Sequence, residues 1–105
     1  MGRTRDAHGR IEKEIAAEKA AALGRTGERL EAALHEAREA AKRLAAEDGA
    51  ADRGTLVAAY EQARARAHAA RTALLIQREA LGLRHHRVVD QVFPEPPGLD
   101  RLGSP

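Results

Sequence analysis

Two adjacent histidines followed by an aspartate form the most suggestive metal-binding pattern in the 105-residue chain. His86 and Asp90 are four residues apart, so a helix would place them on neighbouring turns of one face. Neutral imidazole and carboxylate groups suit zinc and related transition metals. His85 would point to another side of that helix, so the three groups would not converge on one ion within a single chain. We therefore expect structural histidines and no cofactor, and the alternative is a metal-binding bundle with His85, His86 and Asp90 as ligands across a dimer.

Other kinds of metal site find less support in the sequence. Carboxylate-bridged di-iron bundles require Glu-x-x-His on inward helix faces, and none of the five histidines follows a glutamate at that spacing. Glu31, His35 and Glu39 recur every four residues, which is typical of a solvated helix face with ion pairs. The chain has no cysteine, so thiolate ligands and disulfides are excluded.

Three arginines, Arg64, Arg71 and Arg78, recur once per heptad in the second half of the chain. Guanidinium groups bind phosphate oxygens well, so a nucleic-acid-binding module is an alternative function. The row has no interleaved aromatic residues on which bases could stack, and the formal net charge is only +2. We favour ion pairs with the more acidic first helix, for example between Arg71 and Glu31.

Nucleophilic and phosphate-binding motifs are missing from the sequence. The single serine, Ser104, lies next to the C-terminal residue, and no Walker-type phosphate loop occurs. We therefore expect that the protein is not an enzyme.

The elements that must position these residues are helices. Charged residues make up 32% of the chain and aromatic residues 2%, and alanine is abundant, a composition that favours helix over strand. Helical composition covers about residues 10–47 and 55–92, and glycines and aspartates within 48–54 predict a turn. The predicted fold class is an all-α antiparallel helical hairpin, with a flexible N-terminus over 1–9 and a proline-rich, extended tail over 93–105.

Both helical stretches carry apolar residues at alternating spacings of three and four, which is the coiled-coil pattern. If the chain folds back at the turn, residues that face each other should have numbers summing to about 100 or 101. This register places Ala41 opposite Tyr60, so that a small residue meets a large one. It also places Gly27 opposite Leu74, and we interpret Gly27 as relief for the larger side chain.

A second apolar face on the later helix predicts self-association. At about 100° per residue, this face lies opposite the one that packs on the first helix. A helix that is apolar on two faces is normally buried on both, so we expect a homodimer of hairpins that forms a four-helix bundle. We call this surface the outer face, and its residues are Ala58, Ala65, Ala69, Thr72, Ile76, Ala80 and Leu83.

The tail contains three apolar residues, Phe93, Leu99 and Leu102, among prolines that favour an extended backbone. They predict either a docking element for a protein partner or a cap on the open end of the bundle, and we favour the cap.

Taken together, these features predict a non-catalytic structural or protein-interaction module with an unidentified protein partner. No apolar run approaches the ~20 residues that a membrane span needs, and the N-terminal residues lack a signal-peptide core. We expect a cytoplasmic protein that does not associate with membranes.

Overall fold

The structure is a computed structural model that describes the backbone of residues 2–46 and 50–102 and the side chains of residues 4–46 and 52–102. Every regular element in these residues is a helix, which confirms the predicted all-α class. No helix in these residues is long and apolar enough to cross a membrane. The four helices are α1 (Gly2–Ala46), α2 (Ala50–Ala80), α3 (Arg87–Val92) and α4 (Leu99–Leu102).

The first helix begins at Gly2, whereas the sequence predicts a helix only from about residue 10 and a flexible segment before it. Local side-chain contacts support this early start. His8 Nε2 lies 3.0 Å from Glu12 Oε1, and Arg10 Nε donates to the carbonyl oxygen of Asp6 at 3.4 Å. Interactions between residues four apart stabilise a helix by a few tenths of a kcal/mol each, which partly offsets the cost of ~1 kcal/mol for Gly9 inside the helix.

The second helix also begins earlier than predicted, because residues 50–54 of the predicted turn already belong to α2. Asp52 lies in the first turn of α2, where its carboxylate interacts favourably with the positive end of the helix dipole. The other predicted turn residues, Asp48 and Gly49, lie outside the described residues. The connection between the two long helices is therefore shorter than the glycines suggest.

The prediction of one continuous helix over 55–92 is wrong. Gly82 has a φ of +87°, its N–H donates to the Glu79 carbonyl at 2.9 Å, and the Leu83 N–H donates to the Arg78 carbonyl at 2.9 Å. These two bonds are the pattern of a helix that ends with a glycine in the left-handed conformation. The chain therefore leaves the axis of α2 after Ala80 and forms the separate helix α3.

The two long helices pack against each other through two clusters of buried residues. The cluster nearer the connection between them contains Ala37, Ala40 and Leu44 of α1 with Tyr60 and Ala63 of α2. The second cluster contains Leu30 and Leu34 of α1, Ala67 and Leu74 of α2, and Val89 of α3.

Two cross-helix contacts define the register between α1 and α2. Thr26 Oγ1 lies 2.5 Å from Gln77 Oε1, and Arg66 Nε lies 3.5 Å from Glu36 Oε2. Their residue numbers sum to 103 and 102, slightly above the predicted value of 100 or 101. The predicted role of Gly27 is wrong, because a Cβ added there would meet no atom within 4 Å.

The residues after α2 fold back along the two long helices. We call residues 87–102 the strap. Val89 is buried in the cluster around Leu30, and Phe93 packs against the same cluster. Leu99 and Leu102 pack against the cluster around Tyr60. The prediction of a wholly extended tail is wrong, because Leu99–Leu102 forms the helical turn α4; residues 103–105 lie outside the described residues.

Helix α1 is much longer than its partner. Its 45 residues correspond to roughly 68 Å, and the 31 residues of α2 to roughly 46 Å, at ~1.5 Å per residue. The molecule is 75 Å long and 22 Å wide. Side chains from Thr4 to Ala21 are exposed except at the half-buried Gly9. We call residues 4–22 the α1 arm.

Candidate interaction surfaces

The arginine row of α2 binds the strap and the residues just before it. Because Arg64, Arg71 and Arg78 recur every seven residues, they lie along one side of the helix. Arg64 Nε donates to the Pro96 carbonyl at 3.3 Å, and Arg78 NH2 donates to the His85 carbonyl at 3.0 Å. Arg64 and Arg78, which the sequence offers as phosphate contacts, thus bind carbonyl groups of the same chain instead.

Arg71 is the central residue of the row and forms ion pairs with two carboxylates of the strap. Its guanidinium pairs with Asp90, and its NH1 lies 3.6 Å from Glu95 Oε1. The Arg71 side chain is only 19% exposed, and its Nε is buried without a hydrogen-bond partner. The predicted pair with Glu31 is wrong, because carboxylates of the strap take that place and Glu31 is exposed.

The predicted metal ligands contact different groups. Asp90 pairs with Arg71, whereas His86 Nε2 lies 3.1 Å from Glu79 Oε1. The His85 side chain is exposed, and its carbonyl group accepts a hydrogen bond from Arg78. Within residues 4–46 and 52–102, no three His, Asp or Glu side chains are grouped as a metal site would require.

The apolar residues of the tail contact the chain's own core. Phe93, Leu99 and Leu102 are half-buried against the two clusters. Tyr60 reinforces this attachment, because its hydroxyl donates to the Pro97 carbonyl at 2.5 Å. The strap covers the side of the α1–α2 pair rather than the open end at which the sequence places a cap.

A groove of about 260 Å³ lies between the strap and α2. It is slightly smaller than the ~300–1,000 Å³ that is usual for small-molecule sites. His68 Nδ1 lies 3.5 Å from Glu95 Oε1 beside it, and both side chains are more than half exposed. Solvent screening at such an exposed pair makes the groove a poor place for electrostatic catalysis.

All seven residues of the outer face are exposed. Six of them lie on α2, and Leu83 lies just after the helix end. Ile76 is a large apolar residue within this alanine-rich surface, and it is 62% exposed. Small side chains on both sides of Ile76 would let another helix approach the α2 backbone closely.

The α1 arm is a second apolar surface, and sequence reasoning missed it. Ile11 and Ile15 lie four residues apart on this arm and are 53% and 44% exposed. The signal was present in the sequence as two isoleucines at helical spacing. The coiled-coil pattern assigned from the sequence begins only at Ala20 and does not include them, because the residues before Ala20 alternate with many charges.

Tyr60 and Glu39 are ionisable groups whose pKa departs from its ordinary value. Burial raises the pKa of the Tyr60 phenol above its ordinary value of 10.0. A hydrogen bond and the positive charge of Lys42 lower the pKa of the exposed Glu39. Neither group has the arrangement of a catalytic acid or base, because Tyr60 already donates to the strap and Glu39 belongs to an exposed helix pair.

Comparisons with family models, with curated proteins and with solved structures found no match to the chain. The contacts and exposure of this chain's own residues identify its interaction surfaces. By that measure, the outer face and the α1 arm are the candidate interaction surfaces, and the arginine row is an intramolecular attachment site.

Proposed function

We propose that the protein is a non-catalytic interaction module, an antiparallel helical hairpin that dimerises through the outer face of α2 and presents its remaining helix surfaces to a protein partner. The observation that carries this proposal is the outer face itself. It is an apolar strip along a helix whose opposite side is already packed on α1.

The order of contacts along the helices supports the antiparallel arrangement. Residues near the end of α1, such as Leu44, share a cluster with Tyr60 near the start of α2. Thr26, much earlier in α1, contacts Gln77 near the end of α2. A short connection between consecutive helices also favours antiparallel neighbours.

The composition of the outer face supports a helix-on-helix dimer rather than a small-molecule site. Five of its seven residues are alanine or threonine, which leave a flat surface, and Ile76 supplies a larger knob. Complete burial of a fully exposed isoleucine contributes about 1.5–3 kcal/mol, so the 62% exposed Ile76 would contribute roughly 1–2 kcal/mol. A two-fold dimer contains this contact twice. Two hairpins that meet on this face would form a four-helix bundle.

The arginine row gives little support to the alternative of nucleic-acid binding. Arg64, Arg71 and Arg78 already bind carbonyl or carboxylate groups of the C-terminal residues. A phosphate backbone would have to displace these intramolecular contacts before it could bind. A metal-binding bundle has equally little support, because Asp90 and His86 pair with different side chains.

The proposal is tested by replacing Ile76 with lysine and measuring mass by sedimentation or light scattering across a concentration series. We expect the wild-type chain to dimerise and Ile76→Lys to weaken dimerisation at least ~10-fold, because 1.4 kcal/mol corresponds to a factor of ten. Ala32→Lys is the matched control. Ala32 is exposed on the side of α1 away from α2, between Glu28 and Glu36 one turn away, so this lysine should leave dimerisation unchanged.

A wild-type chain that remains monomeric at tens of micromolar would contradict the proposal. So would a dimer that Ile76→Lys and Ala32→Lys weaken equally, since the outer face would then have no special role.

A further inference from the structure

The α1 arm extends beyond the end of α2 and has no helix beside it in the described chain. Its side chains are exposed along almost its whole length, including Ile11 and Ile15. Contiguous exposed apolar patches mark interaction sites, and Ile11 and Ile15 lie one turn apart on this arm. The two isoleucines therefore form an apolar face that no helix of the described chain covers.

The face that contains the two isoleucines continues the face of α1 that is already buried against α2. Eleven residues make three turns of a helix to within about 20°. At this spacing, Ile11 is followed by the half-buried Ala22 and Ala33 and by the buried Leu44, which lies about 60° from Ile11 because the offset accumulates. Ile11 therefore lies at the edge of the buried face. Ile15 is likewise followed by Thr26, which is buried. The buried face of α1 thus continues into the arm at Ile15, and Ile11 lies beside it at the edge of that face.

We propose that the arm of a second copy of this chain covers this face, with the two arms antiparallel and facing residues whose numbers sum to about 26. This inference rests on the self-association proposed above and names a second surface that takes part in it. Antiparallel pairing of identical arms is the two-fold arrangement in which the same patch serves both copies.

The length of the arm sets this register. Because Thr26 lies against Gln77, the end of α2 at Ala80 lies opposite about residue 22 or 23 of α1. The free part of α1 therefore extends from about residue 4 to about residue 22, and its midpoint is residue 13. When two such arms overlap fully, Ile11 of each copy faces Ile15 of the other at the centre of the contact.

The charges of the arm are balanced, which permits two arms to approach each other. Between residues 4 and 22 the sequence contains four basic and four acidic side chains. On one flank of the proposed pair, Arg10 lies between Glu14 and Glu18 of the second copy. On the other flank Lys19 approaches Arg5 of the second copy, so attraction and repulsion largely offset each other. A parallel pair would instead place every charge beside its like.

Burial of the four isoleucines, rather than charge, therefore stabilises the contact. An overlap of nineteen residues is about 28 Å long at ~1.5 Å per residue, which is short for a two-helix contact. We expect the arms to associate in a concentration-dependent way, and covalent trapping is the sensitive test.

The test uses the double variant Thr4→Cys with Ala22→Cys, because the natural chain has no cysteine. Residues 4 and 22 are eighteen residues apart, which is five helical turns, so they lie on one line along the helix. This line is within about 20° of both Ile11 and Ile15, so all four residues share one face. They are roughly 27 Å apart on one helix, far beyond the reach of an intrachain disulfide at ~4.4–6.8 Å between Cα atoms. The proposed register brings position 4 of one copy beside position 22 of the other, so the two introduced thiols would meet between copies.

Under mild oxidation, we expect the double variant to form a disulfide-linked dimer, and the single variants Thr4→Cys and Ala22→Cys to stay largely monomeric on a denaturing gel. Adding Ile11→Lys and Ile15→Lys to the double variant should abolish the cross-link, and adding Ile76→Lys should leave the arm contact able to form. Cross-linking of each single variant with itself would indicate parallel arms and overturn the proposal.

The same samples separate this inference from the proposed function. If the double variant does not cross-link while light scattering still shows a dimer that Ile76→Lys disrupts, then the arm inference fails and the outer-face dimer stands. If the wild-type chain is monomeric at tens of micromolar, both fail.

Discussion

Tyr60 shows how one residue joins the helical core to the strap. Its ring is buried between Ala37, Leu44 and their neighbours, and its hydroxyl donates to the Pro97 carbonyl. A phenolate could not donate this hydrogen bond and would be poorly solvated at this position. Burial therefore holds the proton on Tyr60 and raises its pKa above 10.0.

This shift predicts a loss of stability at high pH. Because the pKa of Tyr60 is higher in the folded chain than in the unfolded chain, its contribution to the free energy of unfolding is complete below about pH 10 and is lost as the pH rises through the folded value. The chain has a single tyrosine, so its ultraviolet absorbance against pH reports Tyr60 alone. We expect its midpoint to fall by a measurable amount when urea unfolds the chain.

The matched variant is Tyr60→Phe, which keeps the buried ring and removes the hydroxyl. It should lower the free energy of unfolding by about 1 kcal/mol at neutral pH through the lost hydrogen bond, and it should remove the alkaline part of the pH dependence. Equal tyrosine midpoints in the folded and unfolded chains would contradict this account of the burial of Tyr60.

Gly82 decides where α2 ends and therefore where the strap begins. With a continuous helix, residues 83–92 would project along the axis of α2, and Val89 could not reach Leu30. The left-handed glycine instead lets the chain turn, so that α3 packs back on the core. The position of the strap thus depends on the left-handed backbone conformation of Gly82.

Substitution of Gly82 by alanine should destabilise the protein by about 1–2 kcal/mol, because an L-residue with a Cβ is disfavoured in the left-handed conformation. Lack of space is not the cause, since an added Cβ would meet nothing within 4 Å. Gly54→Ala is the control, as Gly54 lies inside α2 in equally open space. It should stabilise the protein by about 0.5–1 kcal/mol, measured by urea unfolding. Effects of the same sign at both positions would contradict the assigned helix end.

The whole molecule consists of a two-helix core, a strap that covers one side of it, and an arm that leaves it. The strap connects the two clusters of buried residues, because Val89 and Phe93 reach one and Leu99 and Leu102 reach the other. The ion pairs of Arg71 with Asp90 and Glu95 help to orient the strap on α2. They contribute little to stability, because both carboxylates are exposed to solvent. Apolar burial should therefore determine whether the strap stays in place.

We expect Val89→Ala to lower the free energy of unfolding by about 1–3 kcal/mol, because Val89 is only 3% exposed and its truncation leaves a cavity. Val92→Ala is the control on the same helix, since Val92 is 59% exposed and should change stability by less than ~0.5 kcal/mol. Urea unfolding followed by circular dichroism measures both. A Val89 variant as stable as the Val92 variant would show that the strap does not share the core.

The part of this protein that sequence alone could predict is the part set by short-range periodicity. The spacing of apolar residues predicted the all-α class and placed Tyr60 and Leu74, which are both buried, on the side of the second helix that packs against the first. It also singled out the seven residues of the outer face, which are exposed in the single chain. These predictions depend only on how often a residue returns to the same side of a helix.

Tertiary structure alone decided which groups meet across long separations. The pairing of Arg71 with Asp90 instead of Glu31 depends on the turn at Gly82, which brings residues 87–102 beside α2. The exposure of Ile15 depends on where α2 ends, because Thr26, three helical turns further along α1, is buried where α2 lies beside it. Helical periodicity determines which side of a helix is apolar, but the length and direction of its neighbours determine how much of that side is covered.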